Sequence, residues 1–119
     1  MAATLDSRAP GDLPDLQLTT RYVGTTTIVE LAGEWDLSAT PAARRVLATA
    51  LDREPECVVL DLTALSFIDS SGLHGTVELA ERARHDGVRL AIIVGTRQVR
   101  RLFEISELID RLPIIDGTT

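Results

Sequence analysis

The run Asp69-Ser70-Ser71-Gly72 is the part of this 119-residue chain whose residue types could do chemistry. Asp and Ser are favoured at the N-cap of a helix, and glycine lets the backbone turn closely into one. The apolar run Cys57-Val58-Val59-Leu60 lies upstream, as expected for a strand covered on both faces. Two hydroxyls then lie beside the free amides of a helix N-terminus, where a negative group is favoured. The sequence therefore predicts a reactive or anion-stabilising site at this turn.

A hydrolytic enzyme is one interpretation of this turn, because Asp69, Ser70 and His74 are the residue types of a catalytic triad. Asp69 adjoins the serine in sequence, so it cannot readily orient the far nitrogen of His74. The Gly-x-Ser-x-Gly pattern of many hydrolases is also absent. We therefore expect no enzyme activity and a surface position for His74. For Ser70 and Ser71 the simplest alternative is plain N-capping, worth about 1 kcal/mol.

The composition restricts the classes of molecule that the protein is expected to bind. A net charge of −6 argues against a nucleic-acid or anionic-membrane partner and favours a basic or amphipathic protein. Aromatic residues make up only 3%, too few for base-stacking platforms. All 12 basic residues are arginine, which excludes Schiff-base chemistry and a P-loop lysine.

Metal ions, cofactors and membrane spans are not expected. The single Cys57 and the two histidines lie far apart and do not resemble a metal site. No apolar run approaches the roughly 18 residues of a membrane helix, so we expect no membrane insertion. The N-terminal residues lack the basic and apolar regions of a signal peptide, so the sequence predicts a cytoplasmic protein. No cofactor is expected.

The pattern along the chain predicts one domain. Residues 1–15 carry prolines and acids without an apolar period and are predicted to be a flexible leader, followed by a folded domain over residues 16–116. Alternating β-branched residues predict a hairpin of Leu16–Val23 and Thr26–Leu31 that turns at Gly24-Thr25.

Helices and strands are predicted to alternate after the hairpin. Apolar residues at helical spacing predict three helices: one from Ser38 or Thr40 to a point before Pro55, one from Gly72 to Gly87, and one capped by Thr96. Apolar runs predict strands at Val58–Leu62, Val88–Val94 and Leu112–Ile115. This order indicates an α/β fold with a partly parallel sheet.

Three turns with polar residues follow predicted strands: Gly33-Glu34-Trp35-Asp36, Asp69-Ser70-Ser71 and Gly95-Thr96. Sites in such sheets lie outside the carboxyl ends of the strands. If the strands are parallel, the three turns share one edge of the sheet.

Three sequence blocks resemble the STAS family, the sulphate transporter and anti-sigma factor antagonist domains. They are Val59-Leu60-Asp61-Leu62 followed by Phe67-Ile68-Asp69-Ser70-Ser71-Gly72-Leu73, the turn Gly33-Glu34-Trp35-Asp36, and Val99-Arg100-Arg101-Leu102-Phe103. The resemblance extends from about Leu16 to Ile115. It implies a mixed β-sheet of four to five strands with helices packed mainly on one side.

For small bacterial members, the resemblance implies an anti-sigma factor antagonist controlled by phosphorylation. The serine after the motif's aspartate, here Ser70, is phosphorylated by an anti-sigma factor that is itself a serine kinase, and Ser71 is the fallback site. The unphosphorylated form binds that kinase and frees a sigma factor, and a phosphatase is a further partner. The residues expected to contact the partner are Trp35, Asp36, Asp69, Ser70, Ser71, Gly72 and His74.

Three features depart from the family pattern. The sequence ends at Thr119, so the terminal helix of longer members is expected to be missing or very short. Trp35 replaces an aliphatic residue and is either a lid on the core or an exposed contact for the partner. Glu107 stands where a glycine is expected after the third helix. Other functions stay open: a scaffold subunit of a stress-signalling complex, an accessory subunit of a membrane lipid transporter, or a domain that binds a small ligand at the same edge.

Overall fold

The structure is a computed structural model that describes residues 16–116, and the leader predicted for residues 1–15 lies outside them. The strands are β1 Leu16–Val23, β2 Thr26–Trp35, β3 Cys57–Leu62, β4 Leu65–Ile68, β5 Arg89–Val94 and β6 Ile114–Asp116. The helices are α1 Thr40–Asp52, α2 Ser70–Asp86 and α3 Arg97–Ile105, with a short 3₁₀ turn at Leu37–Ala39.

The sheet is mixed, which confirms the predicted fold class. Its order is β1-β2-β3-β5-β6; β1 and β2 form the antiparallel hairpin, and the other neighbours are parallel. The sheet has six strands and not the expected four to five, because β4 forms in a segment for which no strand was predicted. β3 pairs with β2 only over Thr26–Glu30, so the second half of β2 has room to pair with β4.

A bulge in β2 positions the first of the polar turns. The register with β4 shifts between Gly33 and Glu34, and Gly33 has a φ of 101°, a conformation that side chains rarely adopt. The Gly33 amide donates to the Ala64 carbonyl at 3.2 Å. The bulge bends the end of β2 along β4, so Trp35 is paired with Ile68 immediately before both strands end.

Only one face of the sheet is fully buried. The alternate residues Val58, Leu60 and Leu62 of β3 are completely buried, whereas Cys57 and Val59 between them are half-buried. The same alternation occurs in β2, where Val29 is buried. The expectation that the β3 run is covered on both faces is therefore wrong. Alternate residues of β3 lie on a face of the sheet that is only partly covered.

The ends of α2 and α3 follow the predicted capping residues, but the start of α1 does not. Neither Ser38 nor Thr40 caps α1, because Ser38 lies in the preceding 3₁₀ turn and Thr40 is the first residue of the helix. α2 ends at Gly87, which has a φ of 73° and donates its amide to carbonyls of the last turn. Thr96 caps α3 by accepting a hydrogen bond from the Val99 amide at 3.3 Å. Glu107, at the position where glycine was expected, also lies in the left-handed region with a φ of 64°. The backbone geometry that favours glycine is therefore retained with a glutamate in place.

Candidate functional site

Asp69 is the N-cap of α2. Its backbone is extended, and its Oδ1 accepts hydrogen bonds from the amides of Ser71 at 2.9 Å and Gly72 at 3.2 Å. The Ser71 hydroxyl donates to the same oxygen at 2.6 Å. These contacts support a capping role for Asp69.

Asp69 also joins α2 to the turn that follows β2. Its Oδ2 accepts a hydrogen bond from the Leu37 amide at 3.1 Å, and its own amide donates to the Trp35 carbonyl at 3.1 Å. Asp36 caps the 3₁₀ turn itself, since its Oδ1 accepts from the Ser38 amide at 3.1 Å and the Ser38 hydroxyl at 2.7 Å. The turns that carry the two aspartates are therefore in direct contact, as predicted from the sheet edge.

The Asp69 carboxylate is held in its charged form. Partial burial acts to raise its pKa, but hydrogen bonds from the Ser71 hydroxyl and from the amides of Gly72, Ser71 and Leu37 together lower the pKa below the usual aspartate value. The site therefore holds a fixed negative charge at neutral pH, one residue before Ser70.

The two serines have different surroundings. The Ser71 hydroxyl donates to Asp69 and lies 3.1 Å from the Thr40 hydroxyl, which itself lies 3.2 Å from the Asp36 carbonyl. Ser70 is exposed, and no hydrogen bond within residues 16–116 engages its hydroxyl. Ser71 is thus part of the structure of the turn, whereas Ser70 presents its hydroxyl to solvent.

Trp35 and Gly72 do not lie on the surface, which corrects their assignment as partner contacts. Trp35 is completely buried, so the interpretation as an exposed contact is wrong and the interpretation as a lid on the core is confirmed. Gly72 is also buried, and a Cβ there would lie 2.5 Å from Ile68 Cγ1 and 3.0 Å from Trp35 Cγ. The glycine is needed for close packing of α2 and not for contact with a partner.

Gly75 completes this packing, since a Cβ there would lie 2.9 Å from Trp35 Cζ2. The first turns of α2 therefore rest on the indole ring. The ring nitrogen of Trp35 is buried and has no hydrogen-bond partner among the residues that the structure describes. An unsatisfied buried donor costs about 1–3 kcal/mol, which the large apolar contact of the ring must offset.

His74 lies on the exposed side of α2, as predicted. Its Nε2 lies 3.5 Å from Glu78 Oε2, and Glu78 also pairs with Arg44 of α1 at 3.0 Å. The imidazole is thus directed along the helix toward Glu78, in the direction away from Ser70. This arrangement gives no support to a catalytic pair of Ser70 and His74.

The third polar turn lies farther from Ser70 than expected. The Thr96 hydroxyl donates to the Leu65 carbonyl at 3.2 Å, and a Cβ at Gly95 would lie 2.7 Å from the Thr63 carbonyl oxygen. This turn therefore contacts the start of β4, while Ser70 follows its end. The four residues of β4, a strand that was not predicted, separate the Gly95-Thr96 turn from Ser70 by about 13 Å at the usual rise per residue.

Leu37 is a surface residue that the sequence interpretation missed. Its side chain is 73% exposed, although its backbone is held between the two aspartates. The available signal was a large apolar residue directly after Asp36, within a turn of otherwise polar and small residues.

Two further observations concern metals and membranes. Within residues 16–116, no group of His, Cys, Asp and Glu side chains is arranged to hold a metal ion. None of the helices that the structure describes is long and apolar enough to cross a membrane.

The chain is similar to known proteins in both sequence and fold. The family model of the STAS domain matches residues 17–118. The anti-sigma F factor antagonist of Paenibacillus polymyxa is 31% identical over 104 residues, covering 87% of this chain and 89% of that protein.

Solved structures share the fold. An anti-sigma factor antagonist from Mycobacterium paratuberculosis superposes with a TM-score of 0.79 at 21% identity, covering 86% of this chain and 87% of that one. The anti-sigma factor antagonist SpoIIAA in its unphosphorylated form gives 0.73 at 24% identity, over 86% of this chain and 89% of the other. The Bacillus cell fate determinant SpoIIAA in its phosphorylated form gives 0.66 at 24% identity, over 87% and 91%.

Proposed function

Because the chain belongs to the STAS domain family, we propose that it is an anti-sigma factor antagonist controlled by phosphorylation of Ser70. In this proposal the unphosphorylated protein binds an anti-sigma factor that is a serine kinase, and a sigma factor is released. Phosphorylation ends the binding, and a phosphatase restores it. The protein acts in the cytoplasm as a binding partner and kinase substrate, and not as an enzyme.

The observation that carries the choice of serine is the contrast between the two hydroxyls. A phosphate on Ser71 would replace the proton donated to Asp69 at 2.6 Å and would bring two anions into contact. Its addition would also disturb the contact with Thr40 at 3.1 Å. Ser70 is exposed and can accept a phosphate without breaking any of these contacts.

The surroundings of Ser70 support a switch that leaves the fold intact. Ser70 is the first residue of α2, where free amides and the helix dipole favour a negative group. A phosphate there adds a charge of about −1.5 to −2. It lies next to the charged Asp69, so a protein pressed against this surface would have to desolvate two adjacent anions.

The test is intact-mass analysis and peptide mapping of the protein from its own cells, together with Ser70→Ala and Ser71→Ala. We expect one phosphate on Ser70, its loss in Ser70→Ala and its retention in Ser71→Ala. Absence of phosphate under all growth conditions, or a phosphate on Ser71, would contradict the proposal. A pull-down with the unphosphorylated protein should recover a serine kinase of the anti-sigma type, whereas transporter subunits or a large multi-copy particle would favour the rival functions.

A further inference from the structure

An apolar side chain stands in solvent beside the proposed phosphorylation site. Leu37 is 73% exposed. The next most exposed large apolar residues that the structure describes are Ile105 at 64% and Val23 at 57%. Single exposed apolar residues are common on protein surfaces and need no explanation alone. The geometry that holds Leu37 is what distinguishes it.

The backbone at Leu37 is fixed from two directions. Its amide donates to Asp69 Oδ2 at 3.1 Å, which ties it to the start of α2. On its other side, Asp36 Oδ1 accepts from the amides of Ser38 at 3.1 Å and Ala39 at 3.3 Å, which closes the 3₁₀ turn. Because this backbone is already ordered, covering Leu37 costs side-chain rotamer freedom but little backbone freedom.

Two contacts place this turn against the helix start on either side of Ser70. The Leu37 amide reaches Asp69, the residue before Ser70, and the Thr40 hydroxyl reaches Ser71, the residue after it. A surface that covers the Ser70 hydroxyl therefore adjoins the turn that carries Leu37.

The carboxylates around Leu37 are largely engaged by hydrogen bonds within the domain. Both carboxylate oxygens of Asp69 and the Oδ1 of Asp36 accept hydrogen bonds from within the domain. The neighbouring exposed side chains, Ser38 and Ser70, are uncharged. The patch presents an apolar side chain beside hydroxyl groups and the charged Asp69 carboxylate, an arrangement similar to the apolar centre and polar rim of a protein interface.

We propose that Leu37 is the apolar anchor of the interface with the anti-sigma factor, which covers it with an apolar pocket. This inference rests on the proposed function and identifies the chemistry of the partner surface. It also explains why a phosphate can end binding without a change of fold. An apolar pocket that excludes water from Leu37 also strips water from the adjacent Ser70, where a dianion cannot be desolvated without a large loss of affinity.

The test measures affinity for purified anti-sigma factor serine kinases encoded in the genome of the same organism, each used in turn as the probe. The unphosphorylated protein is compared with Leu37→Ala, Leu37→Met and the matched control Ile105→Ala. Ile105 lies on α3 and is almost as exposed as Leu37, so its removal tests for a general apolar effect. Because Leu37 is largely outside the core, all variants should retain the unfolding midpoint of the parent protein.

We expect Leu37→Ala to weaken binding about tenfold or more, the loss typical of a central interface residue, while Leu37→Met and Ile105→Ala bind nearly as the parent does. Equal binding of Leu37→Ala and the parent would overturn the inference while the proposed function stands. Equal losses in Leu37→Ala and Ile105→Ala would also overturn it. Failure of the parent protein to bind any of the kinases would overturn the proposed function, and this inference with it.

Discussion

Asp69 combines two tasks in one side chain, since one oxygen caps α2 and the other holds the Leu37 amide. Because this cap is also the contact between two turns, the position of Ser70 depends on the carboxylate of Asp69. Its removal should therefore affect both the stability of the domain and the geometry of the proposed switch.

Replacement of Asp69 by Asn should destabilise the protein in a pH-dependent manner. The folded-state pKa of Asp69 is lowered, so its charge stabilises the folded state above the unfolded-state pKa of about 3.9. This contribution is lost as the pH falls through the still lower folded-state pKa. The difference in unfolding free energy between the parent and Asp69→Asn should thus be largest near neutral pH and shrink in acid.

Urea unfolding followed between about pH 2 and 7 measures this difference, because the linear extrapolation gives the free energy at each pH. Asp110→Asn, an exposed position outside the site, is the control. A difference between the parent and Asp69→Asn that is independent of pH would contradict the assignment of a charged cap.

Residue types predicted the cap but not its second contact. Asp69-Ser70-Ser71-Gly72 indicated a helix start because each residue has a strong local preference there. The Leu37–Asp69 contact depends on two segments 32 positions apart, which local preferences cannot reveal. The alternatives for Trp35 stayed open for the same reason, because burial of a side chain is decided by the elements that pack on it.

At the scale of elements, α2 and the end of β2 fit together through a large residue and two small ones. Trp35 lies under Gly72 and Gly75, and a Cβ on Gly75 would lie 2.9 Å from the indole. The large ring therefore fits against the helix because position 75 carries no side chain.

Gly75→Ala should destabilise the domain by about 1–3 kcal/mol through overpacking, although alanine in a helix is otherwise favoured over glycine by about 1 kcal/mol. The effect has the opposite sign to helix propensity, which makes it diagnostic. Combination with Trp35→Leu should remove the penalty of Gly75→Ala, as measured by a double-mutant cycle of chemical unfolding. Additive effects of the two substitutions would show that the ring and the helix do not share this contact.

Glu107 offers a second test at this scale. Glu107 has a φ of 64°, in the left-handed region, and this backbone conformation costs roughly 1–2 kcal/mol for a residue with a Cβ. Glu107→Gly should raise the unfolding free energy by roughly 0.5–1 kcal/mol. This gain is smaller than the strain that is relieved, because glycine loses more conformational freedom on folding than glutamate does.

Glu104→Gly, within α3, is the matched control for Glu107→Gly and should lower stability by about 1 kcal/mol. Thermal or urea unfolding of both variants gives the comparison. If both substitutions destabilise to the same degree, the strain at Glu107 is not present.

The elements with strong end signals were predicted well, and β4 was not. Thr96 and Gly87 mark helix ends through local chemistry that sequence reasoning can recognise. β4 has only four residues, and it exists because β2 extends past its pairing with β3. A strand that depends on an unpaired partner elsewhere in the chain has no signal of its own.

At the scale of the whole molecule, the mixed sheet followed from the order of helices and strands, but the coverage of the sheet did not. Continuous apolar runs suggested burial on both faces, while β3 is fully buried on only one. Two of the three half-buried residues on the other face of β3, Cys57 and Val59, are apolar as well, so the apolar run alone cannot distinguish the two cases. Ser70 lies at the edge of the sheet where β4 ends and α2 begins, and we expect a change of charge there to alter the surface and not the architecture.

The affinity of the unphosphorylated and Ser70-phosphorylated forms for an anti-sigma factor serine kinase tests the central claim most directly. We expect the phosphorylated form to bind at least about a hundredfold more weakly, which corresponds to about 2.7 kcal/mol, with an unchanged circular dichroism spectrum. Equal affinities of the two forms would contradict the switch, and a weaker affinity accompanied by loss of secondary structure would contradict its proposed physical basis.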